Sequence, residues 1–259
     1  MTLLASLHRH DRAVVVAALL AVILLSWGYL LFGIEMPASM PGMEGMAMPM
    51  PAPTWDEAYL GLMLAMWLSM MAAMMLPSAT PMLLFYDSIA RRNTPLGSTI
   101  GPTSLFALGY LVVWAGFSVA AVTLQYGLDR ASLLSPALQT TSTVLAGIVL
   151  VAAGIYQWTP LKQACLRHCR SPLDFVMMHW RNGKAGAFVM GVHHGLYCLG
   201  CCWMLMLLLF VGGVMDLAWI AGIALFVLVE KLAPAGHWIG KAAGAALILW
   251  GGTVLASLA

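Results

Sequence analysis

The chain has 259 residues, of which 62% are hydrophobic and 8% charged, and its formal net charge is +2. Soluble globular proteins carry about 25% charged residues, so this composition excludes a soluble domain. The small net charge gives no basis for nucleic-acid binding. Continuous apolar runs of about 20 residues, without the alternation of an outer-membrane barrel, predict an all-α, polytopic membrane helix bundle.

Hydropathy and turn signals predict about seven transmembrane helices. Pro77 is expected to end the second of them, because proline disrupts the hydrogen bonding of a helix interior. The first apolar run is expected to be an anchored helix, since no clear small-residue cleavage site follows it. In chain order the predicted spans are 13–33, 57–77, 103–125, 136–157, 185–211, 215–233 and 239–258.

The distribution of Lys and Arg predicts the orientation of these spans. Nearly all of them fall on one side if the N-terminus, residues 1–12, is cytoplasmic, and only Arg130 falls on the other. The loop at 34–56 is then extracytoplasmic and the long loop at 158–184 is cytoplasmic. We therefore expect a multi-pass protein of the bacterial inner membrane, with 57–258 forming a six-helix domain in the lipid bilayer.

The extracytoplasmic loop is rich in methionine. Proline and glycine prevent regular structure there, so burial does not explain exposed apolar side chains. Thioether sulfur is soft and prefers Cu(I) to hard cations, and a flexible loop could gather several sulfurs around one ion. Capture of copper is one interpretation, and compositional drift or packing on the membrane surface is the other. The methionines are Met36, Met40, Met43, Met46, Met48 and Met50.

Methionines also follow one face of the second predicted span. They stand three or four residues apart, the spacing of a helical face, at Met63, Met66, Met70 and Met74, and Met71 and Met75 extend the face. Methionine is a common gap-filler in apolar packing, so core packing is one interpretation. The other is a relay of soft ligands that leads inward from the loop.

The fifth predicted span contains the sequence "GVHHGLYCLGCCWMLM", with two histidines and three cysteines. At 100° per residue, Met190, His194, Cys198 and Cys201 share one stripe, and Cys202 lies at its margin. Histidine within a membrane span is rare and usually functional, although cysteine is often buried without a role. We interpret the five residues as a metal site, for Cu(I) or for zinc, because soft thiolate and imidazole ligands suit either ion.

A second group of candidate ligands lies in the predicted cytoplasmic loop. In "CLRHC", Cys165 is one helical turn from both His168 and Cys169. Nearby basic residues would favour the thiolate form. A second metal or thiol site is one interpretation, and a loop with ordinary reduced cysteines is the other.

The sixth predicted span has an acidic residue near each end. Glu230 is expected to pair with a basic residue of the cytoplasmic loop. Asp216 begins the span and is expected to cap its N-terminus.

Five segments in this order carry a resemblance to a known family: "AMMLPSATP", "AAGIYQWTPLKQACLRHCRSPL", "GLYCLGCCWMLM", "GVMDLAWI" and "EKLAP". Over roughly 55–255 the chain resembles an uncharacterised family of predicted metal-binding integral membrane proteins, a domain of unknown function whose members are sometimes labelled copper chaperones. The resemblance implies that the cysteine pair of the loop and the cysteine cluster of the fifth span belong to the family pattern. The methionine-rich loop lies outside that pattern.

The sequence therefore favours an inner-membrane protein that binds, delivers or transports Cu(I). A copper-dependent membrane enzyme or a soluble metallochaperone would be its partner. One alternative is an accessory or assembly subunit of a larger membrane complex, such as a copper oxidase or monooxygenase. The other is an enzyme, a membrane thiol–disulfide oxidoreductase that uses the Cys-x-x-Cys spacing in "CLGCC".

Overall fold

A computed structural model describes residues 2–32, 55–93, 100–135 and 138–258, with the backbone alone for 2–11 and 93. The six methionines of the predicted copper-capturing loop lie outside the described residues. Within the described ranges the chain forms helices and no β-strand, apart from an isolated bridge between Leu134 and Thr140. The expected all-α fold is confirmed.

The helices, numbered in chain order, are α1 (Thr2–Phe32), α2 (Glu57–Asn93), α3 (Ile100–Arg130), α4 (Thr143–Tyr156), α5 (Pro160–Arg170), α6 (Pro172–His179), α7 (Gly183–Leu207), α8 (Leu209–Gly212), α9 (Leu217–Leu232) and α10 (Gly236–Ala256).

Among the residues that the structure describes, five stretches of helix are long and apolar enough to cross a membrane. A bent pair, α4 and α5, would add a sixth span if its two parts, inclined at 64°, form one broken span. At 16 residues, α9 is shorter than the roughly 20 residues that a transmembrane helix needs. The structure thus supports several membrane-spanning helices, while the number seven and the cytoplasmic N-terminus stay predictions. The five stretches are Arg12–Phe32, Glu57–Arg92, Ile100–Arg130, Gly183–Gly212 and Gly236–Ala256.

The second helix does not end at Pro77, contrary to the sequence prediction. Instead, α2 continues through Pro77 and Pro81 to Asn93. Side chains beside the prolines bond to backbone carbonyls, Ser78 Oγ to Met75 O at 2.9 Å and Thr80 Oγ1 to Leu76 O at 2.8 Å. The carbonyls that the prolines leave without an N–H donor are those of Ala73 and Pro77, and membrane helices tolerate such losses where the surrounding protein adjusts to them. With 37 residues, α2 is about 55 Å long and exceeds the hydrocarbon thickness of about 30 Å.

The segment 158–184, predicted from the sequence as a long loop, contains two helices, α5 and α6. Thr159 caps α5 by accepting a hydrogen bond from the amide of Lys162. The bend between α4 and α5 turns α5 back against α7 and α9. This change of direction carries the cysteines of α5 towards those of α7.

Glycines let α3 and α7 approach closely. A Cβ atom on Gly191 would lie 2.0 Å from the carbonyl oxygen of Phe106, and one on Gly109 would lie 2.3 Å from the carbonyl oxygen of Phe188. Only a residue without a side chain fits such backbone contact, as is common between membrane helices. The close approach brings α7, with its cysteines, against the aromatic face of α3.

Both expectations for the sixth predicted span are confirmed. The carboxylate of Glu230 lies 2.8 Å from the ammonium group of Lys162, at the start of α5. Asp216 accepts a hydrogen bond of 3.0 Å from the amide of Trp219 and caps α9. The ion pair is nevertheless buried, since Lys162 and Glu230 are 0% and 1% exposed. It fastens α5 to α9.

Candidate functional site

Four thiols form the centre of the candidate site. Cys198, Cys201 and Cys202 lie on α7, where they are buried, and Cys169 lies on α5, where it is partly buried. The sulfur of Cys201 lies 4.0 Å from that of Cys169. We call these four residues the thiol cluster. The structure thus joins one cysteine of the predicted second site to the predicted site of the fifth span.

A methionine of α2 also contacts the thiol cluster. The Sγ atom of Cys202 lies 3.9 Å from Sδ of Met75, which is fully buried. The Cys201 and Cys202 thiols both donate hydrogen bonds to the carbonyl oxygen of Cys198, at 3.0 and 2.9 Å. Sulfur atoms of α5 and α2 therefore contact two consecutive cysteines of α7, Cys201 and Cys202.

Cys198 differs from the other thiols in its polar contacts. The ammonium group of Lys231, on α9, donates to Cys198 Sγ at 2.9 Å and to Ser78 Oγ at 3.1 Å. The hydroxyl of Tyr110, on α3, lies 3.1 Å from the same sulfur and donates to the carbonyl oxygen of Met75 at 3.1 Å. A buried ammonium group at this distance stabilises negative charge on the sulfur, and a thiolate is the form that binds metal.

Sequence reasoning did not predict Lys231 or Tyr110 as part of this site. Lys231 follows Glu230 near the end of the sixth predicted span, and nothing in the spacing of α3 singles out Tyr110. One signal in the sequence pointed to Lys231. A lysine inside an apolar segment is costly and usually has a specific partner.

One predicted ligand of the fifth span, Met190, lies away from the thiols. Eleven residues separate Met190 from Cys201, which is about 16 Å along a helix. The sulfur of Met190 instead accepts a hydrogen bond of 3.4 Å from the amide of Arg181. A single ion cannot be bound by Met190 and Cys201 together on one straight helix.

His194 is buried among aromatic rings. Its imidazole stacks on Tyr110, with ring centroids 5.7 Å apart, and contacts Phe106 and Phe175 at 6.0 and 5.3 Å. Its Nδ1 atom is buried without a hydrogen-bond partner among the described residues. His194 therefore lies one helical turn from Cys198 on the α7 stripe, with one nitrogen unsatisfied.

The remaining members of the predicted second site are divided between two places. Cys165 packs on Gly200 of α7, where an added Cβ would lie 2.7 Å from its sulfur. The ring of His168 stacks on Tyr197 with centroids 4.3 Å apart, and its Nδ1 lies 2.9 Å from the carbonyl oxygen of Ala164. Cys165, His168 and Cys169 were predicted to act together. Among the hydrogen bonds of the described side chains, only that of Cys169 joins one of these three residues to a thiol of α7.

The methionines of α2 are all buried inside the bundle, from Met63 to Met75. Met63 Sδ accepts a hydrogen bond of 3.3 Å from Gln125, whose oxygen accepts one of 2.8 Å from Trp67. This burial is the arrangement that core packing requires, and it also places the sulfurs along one side of the bundle interior. The methionines on this face are Met63, Met66, Met70, Met71, Met74 and Met75.

The described side chains do not form a ready-made metal site of the usual kind. Within the described ranges, no group of three or more His, Cys, Asp or Glu residues is placed to hold a metal ion. The Cys201 and Cys202 thiols are engaged with a backbone carbonyl. Metal binding would therefore require these thiols to exchange their hydrogen bonds for bonds to the ion.

The fold and the site define a class of protein: a helical chain, compatible with a membrane, that encloses a buried cluster of thiols. A family model for PpoB2, described as a copper chaperone, matches residues 64–254. The chain belongs to this family, and the matched range includes the thiol cluster and the α2 methionines from Met66 onward. No curated protein and no solved structure matches the chain.

Proposed function

We propose that this chain is a multi-pass protein of the bacterial inner membrane that binds Cu(I) as cargo and delivers it to a partner. The observation that carries the proposal is the contact of sulfur atoms of α5 and α2 with two consecutive cysteines of α7, Cys201 and Cys202. Thiolate and thioether are the ligands that Cu(I) prefers. The copper-chaperone description of the family supports the same ion.

Charge balance makes Cu(I) suitable for a buried site. A bare ion in an apolar interior is strongly unfavourable. One thiolate cancels the charge of Cu(I), and a second thiol that loses its proton on binding balances the Lys231 ammonium. Cys198 is the thiolate that we propose, because the Lys231 ammonium at 2.9 Å stabilises the anion before metal arrives. Cys201 and Cys202, with Cys169 and Met75 beside them, are the remaining sulfur donors that we propose.

The methionines provide a route to this site in the proposal. Met36 to Met50 would capture the ion outside the membrane. Met66, Met70 and Met74 would pass it along α2 to Met75, which lies 3.9 Å from Cys202. From Met63 to Met75 the helix rises about 18 Å. Neutral thioethers suit a relay, since each binds Cu(I) without adding charge.

The proposed topology has seven spans, with α9 as a short sixth span and the N-terminus in the cytoplasm. Helix α5, which carries Cys169, then lies towards the cytoplasmic side, because basic residues such as its Lys162 and Arg170 favour that side. His168 and Cys165 lie on the same helix. In this arrangement α5 is the surface from which a copper enzyme or a soluble metallochaperone would accept the ion.

A second candidate function, thiol–disulfide exchange, is favoured by one specific observation. The sulfurs of Cys169 and Cys201, on different helices, are 4.0 Å apart. Such a pair could form a reversible disulfide and pass electrons to a quinone. Thiol–disulfide exchange would need no metal.

Metal content decides between the two functions. Protein purified anaerobically in detergent from copper-replete cells is analysed for metals and by X-ray absorption at the metal edge. We expect near-stoichiometric copper with sulfur neighbours, loss of copper in the Cys198→Ser/Cys201→Ser variant, and retention in Cys165→Ser, a matched control on α5. Absence of copper from the native chain, with a reversible disulfide, would favour the oxidoreductase.

A further inference from the structure

A positive charge lies directly beside the thiol cluster. Lys231 is 6% exposed, and its ammonium group contacts Cys198 Sγ at 2.9 Å and the neutral hydroxyl of Ser78 at 3.1 Å. Placing an ammonium group inside an apolar bundle is costly, and hydrogen-bonded packing alone would be served by a neutral side chain. The charge itself therefore needs an explanation.

The neighbouring charges do not cancel the field of Lys231 at the sulfur atoms. The adjacent carboxylate, Glu230, is engaged by Lys162 at 2.8 Å. Arg170 adds a further positive group nearby, and its guanidinium donates to the carbonyl oxygens of Ala233 and Pro234 at 2.5 and 2.8 Å. The thiolate that we propose at Cys198 is thus the negative charge closest to the Lys231 ammonium group.

We propose that Lys231 is a specificity-determining residue, which makes the thiol cluster select a monovalent over a divalent metal ion. This inference rests on the proposed function, namely that the thiol cluster binds Cu(I). The competing ion is Zn(II), which the same cysteine ligands would otherwise accept. Lys231 is not a ligand in this proposal, since an ammonium group has no free electron pair.

Electrostatic repulsion is the basis of the selection. An ion bound to Cys198 must lie within a few ångströms of the Lys231 ammonium group, because both contact the same sulfur atom. The repulsion is proportional to the charge of the ion, so a divalent ion is opposed twice as strongly as a monovalent one. At the effective dielectric constant of a protein, one additional unit of charge at this range lowers the affinity for the ion by about tenfold or more.

The test compares Cu(I) and Zn(II) affinities of the full-length protein in detergent, each measured anaerobically by competition with a chelator for that ion. The variants are Lys231→Gln, which keeps a hydrogen-bond donor without the charge, and Lys231→Arg, which keeps the charge. Lys184→Gln is the matched control, because Lys184 is an exposed lysine at the start of α7. Gln avoids adding a thioether, which could itself bind copper.

We expect Lys231→Gln to lower the ratio of Cu(I) to Zn(II) affinity by about tenfold or more, with Lys231→Arg and Lys184→Gln close to the native ratio. An unchanged ratio in Lys231→Gln, with Cu(I) still bound, overturns the role of Lys231 and leaves the proposed function intact. An equal fall in Lys231→Arg also overturns it, because shape and not charge would then be responsible. Failure of the native chain to bind either ion overturns the proposed function and the inference with it.

Discussion

The carboxylate of Glu230 lies 2.8 Å from the ammonium group of Lys162, although 68 residues separate the two in sequence and both are buried. The next residue of α9, Lys231, contacts Cys198 of α7. Two consecutive residues of α9 thus hold α5 and the thiols of α7 in fixed relation. The position of Cys169 beside Cys201 depends on this attachment.

Removal of the Glu230 charge is expected to destabilise the protein. In Glu230→Gln the buried ammonium group of Lys162 loses its counter-charge, and breaking a buried ion pair in this way costs about 3–5 kcal/mol. We expect a lower thermal midpoint in detergent, measured by intrinsic tryptophan fluorescence. Glu57→Gln serves as the control, since Glu57 is exposed at the start of α2, and its midpoint should change little.

A double replacement tests whether the pair acts through charge. Lys162→Leu/Glu230→Leu removes both charges, and replacing a buried pair by apolar side chains is often neutral or stabilising. We expect its thermal midpoint to exceed that of Glu230→Gln. A double variant that is less stable than the single one would contradict the assigned role of the pair.

The contact between α3 and α7 is expected to depend on Gly191. In Gly191→Ala the new Cβ would lie 2.0 Å from the carbonyl oxygen of Phe106, so the two backbones must separate. Such a shift in a tightly packed interior costs about 1–3 kcal/mol or more. Thermal unfolding in detergent and alkylation of the buried cysteines should both become easier.

Gly116→Ala is the matched control for this prediction. Gly116 lies on α3, the helix that Gly191 of α7 packs against, and nothing comes within 4 Å of its added Cβ. Because alanine favours a helix over glycine by about 1 kcal/mol, this variant should be as stable as the native chain or slightly more stable. Equal effects of the two substitutions would argue against the close approach of α3 and α7.

The proximity of α5 to α7 predicts a specific cross-link. A variant that keeps only Cys169 and Cys201 should form an intramolecular disulfide when treated with diamide, because the two sulfurs start 4.0 Å apart. Mass spectrometry of the digested protein would detect the linked peptides. A variant that keeps only Cys165 and Cys202 is the control, and preferential cross-linking of that pair would show that α5 is wrongly placed.

The helical fold could be predicted from sequence because apolar run length determines it directly. The continuation of α2 through Pro77 could not, because a proline that disrupts an isolated helix is tolerated inside a packed membrane helix. Hydropathy predicted a span at 215–233, whereas α9 has 16 residues. Hydropathy windows do not give the exact ends of a helix.

The site was predictable in part. Helical spacing placed Cys198 and Cys201 on one buried stripe, as the structure has them. The approach of Cys169 depends on the 64° bend between α4 and α5, which no local pattern indicates. Lys231 and Cys198 are 33 residues apart in sequence and lie on different helices. Periodicity within one helix does not show which residues of another helix contact it.

Met75 is expected to contribute more to the retention of copper than the neighbouring methionines of α2. Its sulfur lies 3.9 Å from Cys202 Sγ, so Met75→Leu would remove a thioether beside the thiol cluster. Met71→Leu is the matched control, since Met71 is equally buried at 1% exposure and lies one helical turn away on α2. Replacement of methionine by leucine costs less than about 1.5 kcal/mol in most interiors, so both variants should fold.

The measurement is the rate at which a Cu(I) chelator removes copper from the loaded protein under anaerobic conditions. We expect faster removal from Met75→Leu than from Met71→Leu, because the Met75 thioether is the donor next to the thiols. Equal rates for the two variants would exclude Met75 as a ligand and restrict the site to the cysteines. If Met71→Leu alone released copper faster, Met71, and not Met75, would be the thioether of α2 that binds the ion.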